Sequence, residues 1–258
     1  MPEGHLLHRL ARDQQELVGE ELSASSPQGR FAYGAAELDR RSLLGVEAYG
    51  KHLHHRFAGE RSVHVHLGMQ GKWLRLLSTP PRPQVRLRLA TLAVAWDLIA
   101  PSACTLIDDA GWSELVGRLG PDPLRAGADA GRAYEALTAS TGTVGAAVVD
   151  QTVIAGVGNV LRAEGLFLAG IHPSRPASSI DRPSFDRLWR VLTGLMRQSV
   201  EDGRILSAPL PAGTRATARE SEARMVYKQA ECRACGTAVE VFTLAGRTAY
   251  ACPACQPG

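Results

Sequence analysis

The chain has 258 residues, 29 of them lysine or arginine and 26 aspartate or glutamate, for a formal charge of +3. With 45% hydrophobic and 21% charged residues, its composition excludes a disordered or fibrous chain. No apolar run reaches the ~20 residues that span a bilayer, and no basic head precedes an apolar stretch, so the reading is of a cytoplasmic protein without a membrane segment. The length exceeds one small core, so two domains, or one with an appendage, are expected. The position of the charge says more than its sum. Residues 204–258 carry seven basic and four acidic side chains and hold the whole excess, which can meet phosphates locally. Only Lys51, Lys72 and Lys228 are lysines; in so arginine-rich a chain, a retained lysine marks a place for a compact or titratable amine.

In chain order, Met1-Pro2-Glu3-Gly4-His5 comes first. Removal of Met1 before the small Pro2 would leave a secondary amine titrating near pH ~8. That amine is a potential nucleophile, with the Glu3 carboxylate beside it for acid/base work; the plain alternative is a frayed terminus. Residues 5–18 predict a helix with Leu6, Leu7, Leu10, Leu17 and Val18 on its apolar stripe. Ser23 to Gly29 reads as a turn-rich break. Strands are expected at 43–50 and 52–58 about Gly50-Lys51, and at 62–67, where His64 and His66 share a face. Further strands are expected at 71–77, 85–89, 90–96 and 103–107, spaced as in a sandwich or barrel. Residues 121–131 read as a linker. Helices follow at 132–139, 143–150, 158–168 and 184–201, and residues 203–223 read as a mobile surface loop.

Cys232-Arg233-Ala234-Cys235 and Cys252-Pro253-Ala254-Cys255 are two C-x2-C knuckles with the spacing of a zinc site. Four thiolates close a tetrahedral sphere, so one structural zinc is expected, with no position for water. Disulfides are the alternative, disfavoured in a reducing compartment. Strands at 239–242 and 247–251 flank a turn at Ala245-Gly246, which leaves Arg247 on a metal-rigidified hairpin where a guanidinium suits a phosphate. Upstream, Gly156-Val157-Gly158-Asn159 joins two helices. The glycines permit close backbone approach, and Asn159 opens a helix whose free N–H groups favour an anion; an ordinary helix cap is the competing reading. The eight histidines read as structural, or as facing a binding partner, rather than as a second metal site.

Pro2-Glu3-Gly4, Gly50-Lys51-His52-Leu53, the Asp150–Asn159 turn and Gly246-Arg247 through Gln256 together resemble the formamidopyrimidine-DNA glycosylase and endonuclease VIII family of base-excision repair enzymes. The resemblance covers nearly the whole chain. Glycine at the fourth position and the run from Met1 to Arg12 are similar to the endonuclease VIII branch, of actinobacterial type. The resemblance implies an α+β fold with four parts: an N-terminal β-sandwich flanked by helices (1–120), a linker (121–131), a helix–two-turn–helix domain (132–220) and a C-terminal zinc-finger β-hairpin (221–258). It implies a monomer acting on DNA that contains oxidised bases or abasic sites. Pro2 would attack C1′ and form an iminium, Glu3 would shuttle protons, and β,δ-elimination would cut the strand. Lys51, Asn159 and Arg247 would hold phosphates around the reacting sugar. The lesion must leave the stack, and Met69 and Gln70 would enter the gap. An Asp-Pro-Arg-Arg-Phe-Gly-like segment of the formamidopyrimidine branch is missing, with only Ala95-Trp96-Asp97-Leu98 in the first domain, which argues for oxidised pyrimidines over 8-oxoguanine. Gln70 stands where endonuclease VIII-like members commonly have an aromatic residue, and the run before Cys232 is short for the family. A DNA-binding protein without catalysis and a purine-lesion glycosylase are the alternatives.

Overall fold

The computed structural model describes residues 2–77, 79–211 and 213–258. The chain divides into two compact units, residues 1–118 and 119–258. Among the described residues no helix is long and apolar enough to cross a membrane.

The first unit opens with α1 (Gly4–Asp13), which tightens into a 3-10 turn at Gln14–Leu17. Strands β1 (Glu21–Ser25), β2 (Arg41–Tyr49), β3 (His52–Phe57), β4 (Arg61–His66), β5 (Lys72–Leu77), β6 (Val85–Ala90), β7 (Val94–Ile99) and β8 (Ala103–Ile107) follow, with α2 (Ala32–Leu38) after β1 and α3 (Asp109–Gly117) last. All pairings are antiparallel, in the order β5-β7-β6-β1-β2-β3-β4-β8. Strand β1 serves two neighbours: Glu21 and Leu22 pair with β2, while Ser23, Ala24 and Ser25 pair with β6. One short strand therefore turns the corner between two halves. Both halves bury side chains in one core, with Leu53, Phe57 and Val65 from one and Leu87, Trp96 and Leu98 from the other. Leu7, Leu10 and Leu17 of the opening helical segment join them, so the apolar stripe of that segment is the face it buries.

Two expectations are corrected here. The stretch from Ser23, read as a break, begins inside β1. Its buried positions are only Leu22 and Ala24, too few for an alternation visible among serines. The strand expected at 90–96 lies at 94–99, because Thr91 Oγ1 accepts hydrogen bonds from the N–H groups of Ala93 and Val94 and folds those residues into a turn.

The second unit carries α4 (Ala130–Ala139), α5 (Val144–Ala147), α6 (Asn159–Ala169) and α7 (Arg182–Asp202), then β9 (Glu240–Leu244) and β10 (Arg247–Ala251). Asp129, Thr143 and Asp181 cap three of these helices by accepting from the N–H of Arg132, Ala146 and Ser184. The helix expected over 143–150 is a single turn, because Asp150 Oδ1 accepts from Thr152 N–H and draws the chain away. The described residues of 203–223 hold no helix or strand, yet Ile205, Leu206 and Ala208 are buried. Residues 119–123 are also buried: Gly120 N–H donates to Gln151 and Ala155 N–H to Pro121. The helices enclose one apolar core, and a smaller one forms around Phe167, Val226, Cys232 and Cys252.

Candidate active site and metal centre

Glu3 is the N-cap of α1, with extended backbone (φ −124°, ψ 172°), and is fully buried. The helix has no acidic residue in its first turn, so the anion its own stretch of sequence offers at the positive end, where negative charge is favoured, is the Glu3 carboxylate. Pro2, directly before it, is half-buried; Met1 lies outside the described residues.

Lys51 occupies the two-residue turn between β2 and β3, closed by the Tyr49–His52 pair. Gly50 at the first turn position has φ 56°, as a type II′ hairpin requires. His52, next in the chain, pairs across to His66 of β4. The turn that carries Met69 and Gln70 starts two residues beyond His66, so both loops leave the same end of this hairpin. That turn is tight. Gly71 N–H donates to Leu67 O at 3.0 Å, Gly68 has φ 66°, and a Cβ at Gly71 would lie 2.2 Å from Leu67 O. Met69 stands 76% exposed at its tip, with Gln70 exposed beside it.

In the second unit, Gln151 stitches the turn before α6. Its Nε2 donates to Val149 O and Val157 O, and its Oε1 accepts from Gly156 N–H. Gly156 has φ 91°. Asn159 opens α6 and donates from Nδ2 to Thr248 O at 3.0 Å; Arg162, one turn on, donates to the same carbonyl at 2.7 Å. Thr248 follows Arg247 in β10, so these bonds set Arg247 beside the N-terminal end of α6. Arg247 is exposed. The tip residues Ala245 and Gly246 have φ 49° and 72°, the left-handed pair of a type I′ turn. The structure thus brings Asn159 and the Arg247 hairpin together, and it gathers Lys51 with the Met69–Gln70 turn. Pro2 and Glu3 sit at the head of α1.

The Sγ atoms of Cys232, Cys235, Cys252 and Cys255 all lie within 4.8 Å of one another. Cys232 and Cys255 are 3.9 Å apart, and Cys235 is 3.5 Å from both Cys252 and Cys255. A tetrahedron with metal–sulfur arms of ~2.3 Å has edges of ~3.8 Å, so the set fits one ion, and a ~2.05 Å disulfide is ruled out. The knuckles are preformed: Gly236 N–H donates to Cys232 O, and Cys255 N–H to Cys252 Sγ. Gln256 fastens the second knuckle, accepting from Cys252 N–H at 2.9 Å and donating to Ile171 O at 2.7 Å. Cys104 is separate. Burial pushes its thiol up to about 12, which makes it inert.

His52 and His54 of β3 and His64 and His66 of β4 line one face. His52 Nδ1 and His64 Nε2 share a hydrogen bond of 2.9 Å. Burial, then the neighbouring imidazoles, pushes His52 down to about 3 and His64 to about 4. Among the described residues, the four cysteines are the only group of three or more His, Cys, Asp or Glu side chains close enough to hold a metal. Sequence reading passed over Gln151, Arg162 and Glu164. For the latter two the one signal was a pair of ionic residues inside a helix that, after Asn159, is otherwise made of apolar and small residues.

Residues 1–98 match the formamidopyrimidine-DNA glycosylase N-terminal domain, and residues 119–209 the formamidopyrimidine-DNA glycosylase H2TH domain. The protein named Endonuclease 8 1 of Mycobacterium tuberculosis is 42% identical over 267 residues, covering 99% of this chain and all of that one. The formamidopyrimidine-DNA glycosylase of Thermomicrobium roseum is 30% identical over 86% of this chain and 84% of its own. Among solved structures, the wild-type Fpg (MutM) of Lactococcus lactis in complex with DNA containing N7-benzyl-Fapy-dG superimposes with a TM-score of 0.82 at 23% identity, over the full length of both chains. The chain accordingly belongs to the formamidopyrimidine-DNA glycosylase and endonuclease VIII family of base-excision DNA glycosylases with abasic-site lyase activity.

Proposed function

We propose that this enzyme removes oxidised bases, pyrimidines foremost, from DNA through a covalent imine on Pro2. The observation that carries the reading is the head of α1: a half-buried proline, the first residue once Met1 is removed, with a fully buried carboxylate next to it. The freed secondary amine attacks C1′ of the damaged nucleotide, and the bond from C1′ to the base breaks. Glu3 gives a proton to the ring oxygen as the sugar opens, leaving an iminium between Pro2 and C1′. That cation makes the 2′ proton acidic enough to leave, which expels the 3′ phosphate; a second elimination expels the 5′ phosphate. Lys51, Asn159 and Arg247 hold phosphates around the flipped nucleotide. Met69 and Gln70 fill the vacated stack, where an apolar wedge offsets part of the unstacking cost. Zn²⁺ suits the four cysteines, and as a closed thiolate site it would supply folding energy to the tail, not chemistry.

Borohydride reduction in the presence of abasic duplex tests the mechanism. The mature enzyme should form a stable covalent adduct and Pro2→Ala should not. A folded wild-type protein that traps nothing would leave only a DNA-binding role. The pyrimidine preference draws support from the 42% identical relative named as an endonuclease 8, whereas the 30% identical formamidopyrimidine relative favours the purine reading. Faster cleavage of 8-oxoguanine than of thymine glycol duplexes would decide for the second.

A further inference from the structure

Glu164 has no part in the chemistry above, yet its carboxylate is heavily committed. It lies on α6, five residues after Asn159, and is completely buried. Its Oε1 accepts from the N–H groups of Val226 (3.1 Å) and Tyr227 (2.7 Å). Its Oε2 accepts from Met225 N–H at 2.8 Å and from the Ser207 hydroxyl. These donors come from two places that matter. Met225 to Tyr227 lead directly into the first cysteine knuckle. Ser207 and Met225 flank a loop whose neck is closed by Ser207 and Ala208 N–H groups donating to Ala223 O at 2.9 and 3.2 Å. The described residues between Ala208 and Ala223 therefore form an Ω-shaped loop, a class of segment often functional. One side chain pins both its ends and the lead into the metal site to the helix that starts at Asn159.

We propose that Glu164 is a positioning residue that locks the 208–223 loop and the metal-binding tail to α6, so that the loop, Arg247 and Asn159 meet DNA as one preset surface. This rests on the reading of Asn159 and Arg247 as phosphate holders. The position calls for a side chain with two accepting oxygens, because four donors converge on it. Glutamine has the same shape, but its NH2 group would oppose two of those donors, and a buried donor left unmet is costly. The zinc ligands are untouched by that exchange.

Glu164→Gln should keep one zinc per chain and a rate at saturating DNA within about threefold of wild type. Its dissociation constant for a duplex with a stable abasic analogue should rise about tenfold or more, and the dependence of log affinity on log salt should flatten by roughly one phosphate. Amide exchange should quicken at 207–208 and 225–227. Ser207→Ala, a milder change, should quicken exchange across 208–223 alone. Unchanged affinity and exchange in Glu164→Gln would overturn the proposal. So would loss of zinc in parallel with affinity, because Glu164 would then be holding the metal site together instead of aiming it. Asn159→Ala and Arg247→Ala run alongside: if neither moves the salt slope, the phosphate reading fails; if both do and Glu164→Gln does not, only the role of Glu164 falls.

Discussion

His55 shows how one side chain links this fold to pH. It is fully buried, with Nε2 2.6 Å from Gln14 Oε1, and burial, with His54 adding to it, pushes its pKa down to about 3. In the unfolded chain a histidine takes up its proton near 6.5. Between those values the unfolded state binds the extra proton, so stability is full above about pH 6.5 and declines as pH falls toward 3. The limiting slope is about 1.4 kcal/mol per pH unit for each such group. His52 and His64 act with the same sign. The urea midpoint should therefore drop between pH 7 and pH 5, and His55→Gln should remove about one proton from that dependence; an unchanged slope would mean His55 is protonated in the fold. Legibility at this scale depended on distance along the chain. Pro2-Glu3 and Gly50-Lys51 stood out because their chemistry is local. Glu164, Arg162 and Gln256 did not, because each is tied to a partner 43 to 86 residues away, and a charged residue in an apolar helix announces no partner.

Elements were legible where their signal repeats. The alternation in β4 and β6 placed those strands well, and the helices read at 132–139 and 184–201 fall within α4 and α7. β1 has two buried positions, and α2 and α3 are too short for a clear period, so all three were missed. The two knuckles predicted the position and shape of the tail, yet nothing in them foretold that Gln256 ties it to Ile171. Gln256→Ala removes both of those bonds and leaves Ile171 O and Cys252 N–H buried without partners. The expected cost is about 1–3 kcal/mol, read as easier extraction of the metal by a chelator at constant metal stoichiometry; extraction at the wild-type rate would refute the tie. The Met69–Gln70 turn makes a second claim. Gly71→Ala would drive a Cβ into Leu67 O and break the turn, lowering unfolding free energy by about 1–3 kcal/mol. If those residues fill the gap behind a flipped base, affinity for abasic duplex should fall with it. A variant as stable as wild type would show that the turn relaxes.

The molecule as a whole rests on separate cores. Among the described residues, one is assembled from residues between Leu6 and Leu106, and the other two draw on residues from Leu124 to Cys255. The compact units divide at Arg118 and Leu119, where the match to the H2TH domain also begins. A unit with its own apolar core can fold by itself, so the two should not melt as one. Calorimetry of the whole chain should give a van't Hoff enthalpy below the calorimetric one, the mark of a transition that is not two-state. The second unit should divide further by its dependence on metal. Its larger core is lined by Leu161, Phe185 and Leu192 and needs no ion, whereas the smaller counts Cys232 and Cys252 among its members. Fragment 119–258, prepared with zinc, should therefore fold and bind one ion. Chelation should then abolish the ordered environment of Tyr227 and Tyr250, which meet edge-on at 5.0 Å, while most helical signal survives. Loss of helix together with the metal would mean that the tail sustains α6 and α7, and that the order of dependence runs from the cysteines to the helices.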